Sequence, residues 1–204
     1  INKIDISYRY LGLFINIKLE NKIINKKIKL RKKELKMKKE LSYLETIKMI
    51  DEVKKTFESQ LEKRLGLTKV GSPLFVKKSS GLQDDLSGKE EAVGFVKEGE
   101  KFEIVHSLAK WKREALGKYE FPMHTGLYTD MKAIRKDEEV DATHSLYVEQ
   151  WDWEKIILKE DRTETYLKDT VSNIYDSIRM TSLHITKKYP HLDLGLPKKI
   201  FFIT

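Results

Sequence analysis

One arginine stands at the end of a predicted β-strand and directly before a charged loop. The strand begins near Gly126, and its alternation places four side chains on one face: Thr129, Met131, Ala133 and Arg135. The loop that follows reads Lys-Asp-Glu-Glu at positions 136–139. A guanidinium held at a strand end has the donor geometry that suits a phosphate group. Arg135 is therefore a candidate phosphate-binding residue.

A second predicted strand follows the loop, and its two faces differ in chemistry. One face carries Tyr147, Glu149, Trp151 and Trp153. The other carries Leu146, Val148, Gln150, Asp152 and Glu154. Together the strands predict a hairpin that presents polar groups on one side. The pattern alone supports equally well an amphipathic hairpin whose charges are only solvated.

A lysine is predicted on the inward side of a short helix. The strand Phe102–His106 runs into Ser107, a candidate helix N-cap. Helical spacing then groups four side chains on one side: Leu108, Trp111, Lys112 and Ala115. A cation among apolar neighbours requires an anion. The partner of Lys112 is either a structural acid or a carboxylate of a substrate.

The segment Ser79–Gly88 is a loop by composition, because glycines bracket it and two adjacent acids lie inside it. Glycine at both ends would let the loop move, and the two acids inside it are Asp84 and Asp85. The alternative is a surface turn whose carboxylates are only solvated.

Two long amphipathic helices frame these segments. The first extends from Ser42 to a stop at Gly66, with the apolar stripe Ile47, Ile50, Val53, Phe57, Leu61 and Leu65. The extended segment Leu67–Val76 follows and contains Pro73. The second helix covers Asp161–Lys188, with the stripe Leu167, Val171, Ile174, Ile178 and Ile185. Lys199–Thr204 is predicted as the start of a further strand.

Charge is distributed unevenly along the 204 residues, whose formal net charge is +8. Residues 1–40 hold 13 Lys and Arg against four Asp and Glu, so the remainder is nearly neutral. This Ile-, Lys- and Asn-rich leader is predicted to be a disordered or non-native tail. Two alternatives are a signal anchor, for which its apolar run is short, and an arm that binds RNA nonspecifically.

Composition excludes several kinds of site. The chain has no cysteine, which rules out disulfides, thiolate zinc sites and a cysteine nucleophile, and fits a reducing cytoplasm. The five histidines do not fall at metal-ligand spacing, so no protein-held metal is predicted. No membrane-spanning segment and no specific nucleic-acid partner are predicted. A hydrophobic fraction of 40% is enough for one domain.

Four segments together resemble the aspartate–ammonia ligases, which are built on the core of class II aminoacyl-tRNA synthetases. They are Gly81–Gly88, Val105–Arg113, the residues around Gly126–Tyr128, and the motif-2-like series Arg-x-Asp-Glu followed by Glu-Gln-Trp-Asp-Trp-Glu at 149–154. The resemblance implies an α+β fold, with a class II synthetase-like antiparallel sheet flanked by helices. Residues 41–204 would be the N-terminal part of the catalytic domain, ending before the glycine-rich motif 3.

The resemblance also implies a reaction and its substrates. ATP and L-aspartate would form β-aspartyl-AMP with magnesium present, and ammonia would then release asparagine and AMP. Ammonia rather than glutamine fits a chain without cysteine, because glutamine-dependent enzymes need that nucleophile. The helix followed by a proline-containing strand resembles motif 1, which implies a homodimer. Alternatives are a piece of an aspartyl- or asparaginyl-tRNA synthetase and a remnant that binds the adenylate without turnover.

The same resemblance assigns roles to individual residues. Arg135 would stabilise the reacting phosphate and, with Glu138, bind the nucleotide. Lys112 would hold a carboxylate of aspartate, and Asp84 would close over the site. Three further residues would bind polar groups of the substrate: Ser107, Gln150 and Asp152. Because the downstream half of the resembled domain is not in this sequence, we expect this chain alone to be weakly active or inactive.

Overall fold

The computed structural model describes residues 41–203, and its helices and strands alternate irregularly along the chain. The helices are α1 (Tyr43–Leu65), α2 (Ala109–Lys118) and α3 (Glu164–Lys188), with 3₁₀ turns at Lys78–Ser80 and Pro190–Leu192. The strands are β1 (Leu67–Lys69), β2 (Phe75–Lys77), β3 (Gly94–Lys97), β4 (Glu100–Ile104), β5 (Gly126–Ile134) and β6 (Tyr147–Lys155). The predicted α+β class is confirmed. The predicted leader, residues 1–40, lies outside the described residues.

The chain forms two compact units. In the described residues, one unit is Gly66–Asp161 and the other combines residues 41–65 with 162–203. The first unit contains all six strands in two three-stranded sheets, ordered β1-β5-β6 and β2-β4-β3. The predicted hairpin is its longest pairing, with nine paired positions from Gly126 opposite Lys155 to Ile134 opposite Tyr147. Every pairing is antiparallel except β1 with β5, which is parallel.

The observed boundaries of several strands differ from the predicted ones. The extended segment Leu67–Val76 is two strands in different sheets, because the chain leaves β1 before Pro73 and re-enters a sheet as β2. The strand predicted at Phe102–His106 begins and ends earlier, at Glu100 and Ile104. At the end of the described chain, residues 199–203 form no strand, so that prediction was wrong.

The second unit is built from the two long helices. Helix α1 begins with a capping box, in which Glu45 N donates to Ser42 Oγ and Ser42 N donates to Glu45 Oε2. It ends at Gly66, whose φ of +67° is the left-handed conformation that the sequence predicted. Helix α3 begins three residues later than predicted, because the hydroxyl of Thr163 caps it by accepting from Tyr166 N.

The buried stripes of both helices differ from prediction at their N-terminal ends. In α1 the buried residues are Met49, Phe57, Leu61 and Leu65. Ile47 and Ile50 were predicted to be buried but are exposed, and Leu167 of α3 is 61% exposed. Periodicity gives the phase of a helix, but the extent of its partner decides how many turns are covered. Over residues 41–203, no helix combines the length and apolarity that crossing a membrane requires.

Candidate active site

Helix α2 covers the polar face of the β5–β6 hairpin. Directly opposed residues of an antiparallel pair share a face, and Thr129 lies opposite Asp152 while Met131 lies opposite Gln150. Met131 and Ala133 pack with Val76, Val105 and Leu108 in one buried cluster. The predicted face sharing along both strands is therefore what the structure shows, and the polar face is an interior surface.

Lys112 points inward from α2, as its helical spacing predicted. The residue is 1% exposed, and its Nζ donates to the Asp152 carboxylate and, at 3.3 Å, to the carbonyl oxygen of Trp153. Such a buried ammonium is stable only with an acid beside it. The structure thus joins two of the predicted substrate-binding residues in one ion pair. In this structure the partner of Lys112 is an acid of the protein.

Ser107 lies at the start of α2 but is not its N-cap. The N-cap position is Leu108, and Ser107 is one residue outside it. The Ser107 hydroxyl nevertheless accepts a hydrogen bond from Ala109 N at 3.2 Å, which forms a local turn before the helix. The predicted cap was therefore displaced by one residue, because the chain turns once more before becoming helical.

Arg135 reaches from the end of β5 into a cavity of about 300 Å³. Its backbone N donates to the carbonyl of Leu146 at 2.9 Å, which continues the ladder one residue beyond the hairpin strands. Its Nη2 lies 3.5 Å from the carbonyl oxygen of His106. Its Nε is buried and has no hydrogen-bond partner among the described residues. Arg135 thus lines this cavity, and one donor of its guanidinium is buried without a partner among the described residues.

The cavity lining mixes both signs of charge. Its residues are Leu86, Glu90, His106, Arg135, Lys136, Asp137 and Glu138. Ser87 donates to Glu90 through its hydroxyl and backbone N–H, and these bonds lower the pKa of that carboxyl. Glu138, predicted to bind nucleotide, lies in the same lining as Arg135, and its backbone N donates to the carbonyl of Arg135 at 3.2 Å.

The charged loop at residues 136–139 is bonded to the segment that precedes β3. Lys136 Nζ lies 2.8 Å from Glu91 Oε2, and Glu91 N donates to Asp137 Oδ2 at 2.9 Å. The hydrogen bond from Lys136 lowers the pKa of the Glu91 carboxyl, and the same bond raises the pKa of the lysine. These contacts link two loops across one side of the cavity.

Gln83 anchors the glycine-bracketed loop, although the sequence singled out its neighbour Asp84. Its amide Nε2 donates to the carbonyl of Ile104 at 2.9 Å, and its Oε1 accepts from His106 N at 3.1 Å. Lys110 adds a bond to the Gln83 carbonyl at 2.7 Å. The signal for Gln83 was its place inside the matched segment Gly81–Gly88. The position of the Gln83 amide, between the carbonyl of Ile104 and the N–H of His106, depends on how distant segments pack, so the sequence alone could not predict it.

Asp84 is half-buried and accepts a hydrogen bond from Leu86 N at 3.2 Å. It does not line the cavity beside Arg135, nor the adjoining one of about 260 Å³, within the described part of the chain. Asp85 lines that second cavity and lies 3.6 Å from Lys110. The structure therefore places Asp84 in the anchored loop but outside the two cavities.

Five of the seven predicted residues thus form two groups, and Asp84 and Ser107 belong to neither. Lys112, Asp152 and Gln150 lie along the covered sheet face, while Arg135 and Glu138 lie at the cavity. His106 was not predicted, although it directly precedes Ser107 in a matched segment, and it lines both cavities. Between residues 41 and 203, no group of three or more His, Asp or Glu side chains could hold a metal ion.

Comparison with known proteins finds one family. The model of the aspartate-ammonia ligase family matches residues 44–204. An aspartate--ammonia ligase of Fusobacterium nucleatum is 56% identical over 165 residues, which cover 80% of this chain and 50% of that protein. One of Clostridium tetani is 55% identical over 170 residues, or 82% of this chain and 50% of that protein. This chain spans about half the length of these curated relatives.

Among solved structures, similarity is found to a pyrrolysyl-tRNA synthetase of Desulfitobacterium hafniense. The two chains are 15% identical with a TM-score of 0.46, and the similarity covers 78% of this chain and 55% of the other.

Proposed function

The chain belongs to the aspartate–ammonia ligase family, and we propose that it contributes the N-terminal half of a site that amidates L-aspartate with ammonia. The β-carboxylate of aspartate attacks the α-phosphorus of ATP, and the bond from that phosphorus to the leaving diphosphate breaks. Ammonia then attacks the acyl carbon of β-aspartyl-AMP. The carbon–oxygen bond breaks, AMP leaves with its electron pair, and the nitrogen loses a proton to give asparagine.

The observation that carries this proposal is the environment of Arg135. Two anions must meet in the first step, so a fixed positive charge has to face the phosphorus. Arg135 is held at its backbone by Leu146 and has an unused buried donor at the cavity. Removing one donor of this kind costs about 3–4 kcal/mol of transition-state stabilisation. Glu138, in the same lining, is proposed to contact the nucleotide.

The Lys112–Asp152 pair supports a binding mode for aspartate. The substrate carries both a carboxylate and an α-ammonium group, so it offers one ion of each sign. Lys112 would take the carboxylate while Asp152 takes the ammonium, so the exchange leaves no buried charge without a counter-ion. Gln150 and Ser107, which flank this pair on β6 and before α2, are proposed to bind the remaining polar groups of aspartate. Asp84 is proposed to act through the anchored loop.

Magnesium is proposed only as the ion that accompanies ATP. Among residues 41–203 no three His, Asp or Glu side chains form a group that could hold a metal ion, and Mg²⁺ bound to a nucleotide needs only one or two carboxylates besides the phosphates and water.

Assembly and location belong to the same proposal. Helix α1 exposes apolar side chains near its start, with Tyr43 75% and Leu44 59% exposed, which supports a homodimer with this helix in the interface. The absence of cysteine from the sequence supports a cytoplasmic location.

A binding role without turnover is the second candidate, in which the cavity beside Arg135 and the Lys112–Asp152 pair bind the nucleotide and aspartate without forming product. Two measurements on this chain distinguish the two candidates. Calorimetric titration with ATP and aspartate measures binding, and chromatography of the reaction mixture measures AMP and asparagine. Binding with both products supports the ligase. Binding without them, in this chain and also in a chain extended through motif 3, supports the second candidate. ADP as the product, or no binding of ATP, contradicts both.

A further inference from the structure

His106 differs from other histidines of this protein in its surroundings. Three of them lie beside a carboxylate: His124 is 3.6 Å from Asp161, His144 is 2.9 Å from Asp141, and His184 is 3.0 Å from Glu52. His106 is only 2% exposed, and neither of its ring nitrogens has a hydrogen-bond partner within residues 41–203. Among the histidines of residues 41–203, it is the buried one, and its ring has no hydrogen-bond partner.

Such an arrangement is unfavourable for the folded chain by itself. A neutral imidazole carries one N–H donor and one acceptor nitrogen. Burying either without a partner costs free energy, whereas an apolar side chain of similar size would cost none. A buried ring with both nitrogens unpaired is therefore expected where something else binds to it.

The position of the ring identifies what could bind. Its residue is held from two sides, since His106 N donates to Gln83 and its carbonyl oxygen lies 3.5 Å from Arg135 Nη2. His106 and Arg135 both line the cavity of about 300 Å³, and the buried Nε of Arg135 also has no hydrogen-bond partner among the described residues. Nε–H can only donate, so the shared ligand must be an acceptor.

We infer that the His106 imidazole is a ligand-binding group, which donates its N–H to the phosphate group that Arg135 binds. The inference rests on the proposed function, in which that phosphate belongs to ATP. A phosphate has several acceptor oxygens, so one oxygen can take the guanidinium donor and another the imidazole donor. The cavity already contains the carboxylates Glu90, Asp137 and Glu138. The imidazole N–H adds a hydrogen-bond donor to this lining.

Two substitutions separate a binding role from a structural one. His106→Leu replaces the ring by an apolar group of similar size, and His106→Gln keeps a donor. We expect ATP and inorganic pyrophosphate to bind His106→Leu about tenfold more weakly, with a smaller loss for His106→Gln. The melting temperature of His106→Leu should be equal to or above that of the unsubstituted protein, because an unpaired buried polar group has been removed.

A spectroscopic readout tests the contact directly. In a protein with ¹³C-labelled histidine, the His106 ring signal is the one lost in His106→Gln. It should shift saturably as ATP is added, while the carboxylate-paired His144 and His184 serve as internal references that do not shift.

The outcomes distinguish this inference from the proposed function. If Arg135→Lys weakens ATP binding but His106→Leu does not, and the ring signal does not shift, the inference is overturned and the proposed function stands. If His106→Leu lowers the melting temperature together with affinity, the ring is structural and the inference is also overturned. If the unsubstituted chain binds no ATP, the proposed function and the inference fail together.

Discussion

Lys112 and Asp152 form an ion pair between helix α2 and strand β6, and the two ends of this pair differ in exposure. The lysine side chain is 2% exposed, whereas the aspartate side chain is 24% exposed. Removing Asp152 and removing Lys112 should therefore cost different amounts of stability. An unpaired aspartate could still be hydrated, but an unpaired Lys112 could not.

The first prediction follows from this asymmetry. Asp152→Ala should destabilise the protein by about 3–5 kcal/mol, because it leaves a buried ammonium without its acid. Lys112→Met, which keeps the length of the side chain, should cost clearly less. Urea unfolding monitored by circular dichroism measures both. The pair Arg113–Glu154 is the matched control, because its acid is 27% exposed but its arginine is 71% exposed and can be hydrated. Glu154→Gln should therefore cost at most about 1 kcal/mol. Equal losses for the two buried substitutions would contradict this account.

The second prediction concerns phosphate recognition by Arg135. Lysine keeps the charge but lacks the planar fork of donors, so Arg135→Lys should weaken ATP binding by about tenfold or more. Calorimetric titration gives the affinity. Arg113→Lys changes an exposed arginine of helix α2 in the same way and should leave the affinity unchanged. Similar affinity in both variants would remove Arg135 from the proposed site.

The third prediction concerns the anchor of the glycine-bracketed loop. Gln83→Leu should destabilise the protein by about 1–3 kcal/mol, because the carbonyl of Ile104 and the N–H of His106 each lose a partner. Hydrogen exchange should become faster at the His106 amide in particular. An unchanged exchange rate at that amide would show that Gln83 does not hold it.

The fourth prediction concerns the close approach of the hairpin strands. A Cβ at Gly126 would lie 2.2 Å from the carbonyl oxygen of Glu154 and 2.8 Å from Lys155 Cα. Gly126→Ala should therefore cost about 1–3 kcal/mol or more in unfolding free energy. Gly117, near the end of α2, has nothing within 4 Å of such a Cβ, so Gly117→Ala should stabilise the protein by up to about 1 kcal/mol. Thermal unfolding of both variants compares them.

The fifth prediction concerns acid stability in the two-helix unit. Hydrogen bonds from Lys188 and His184 lower the pKa of Glu52 below its ordinary value of 4.5. A lowered folded-state pKa adds stability above pH 4.5, and this stability is lost as the pH falls through the folded-state value. Glu52→Gln should therefore be less stable than the unsubstituted protein at neutral pH. The difference should shrink below pH 4.5 in urea unfolding at a series of pH values.

The sequence by itself determined the local features of this protein. Strand alternation placed Gln150 and Asp152 on one face, helical spacing turned Lys112 inward, and Gly66 ended α1, because backbone geometry sets these directions within a few residues. Only the tertiary structure decided which groups meet. It paired Lys112 with Asp152, fixed His106 through Gln83, and left Ile47 and Leu167 exposed. These outcomes depend on contacts between segments distant in the chain, and the periodicity of one segment carries no information about them.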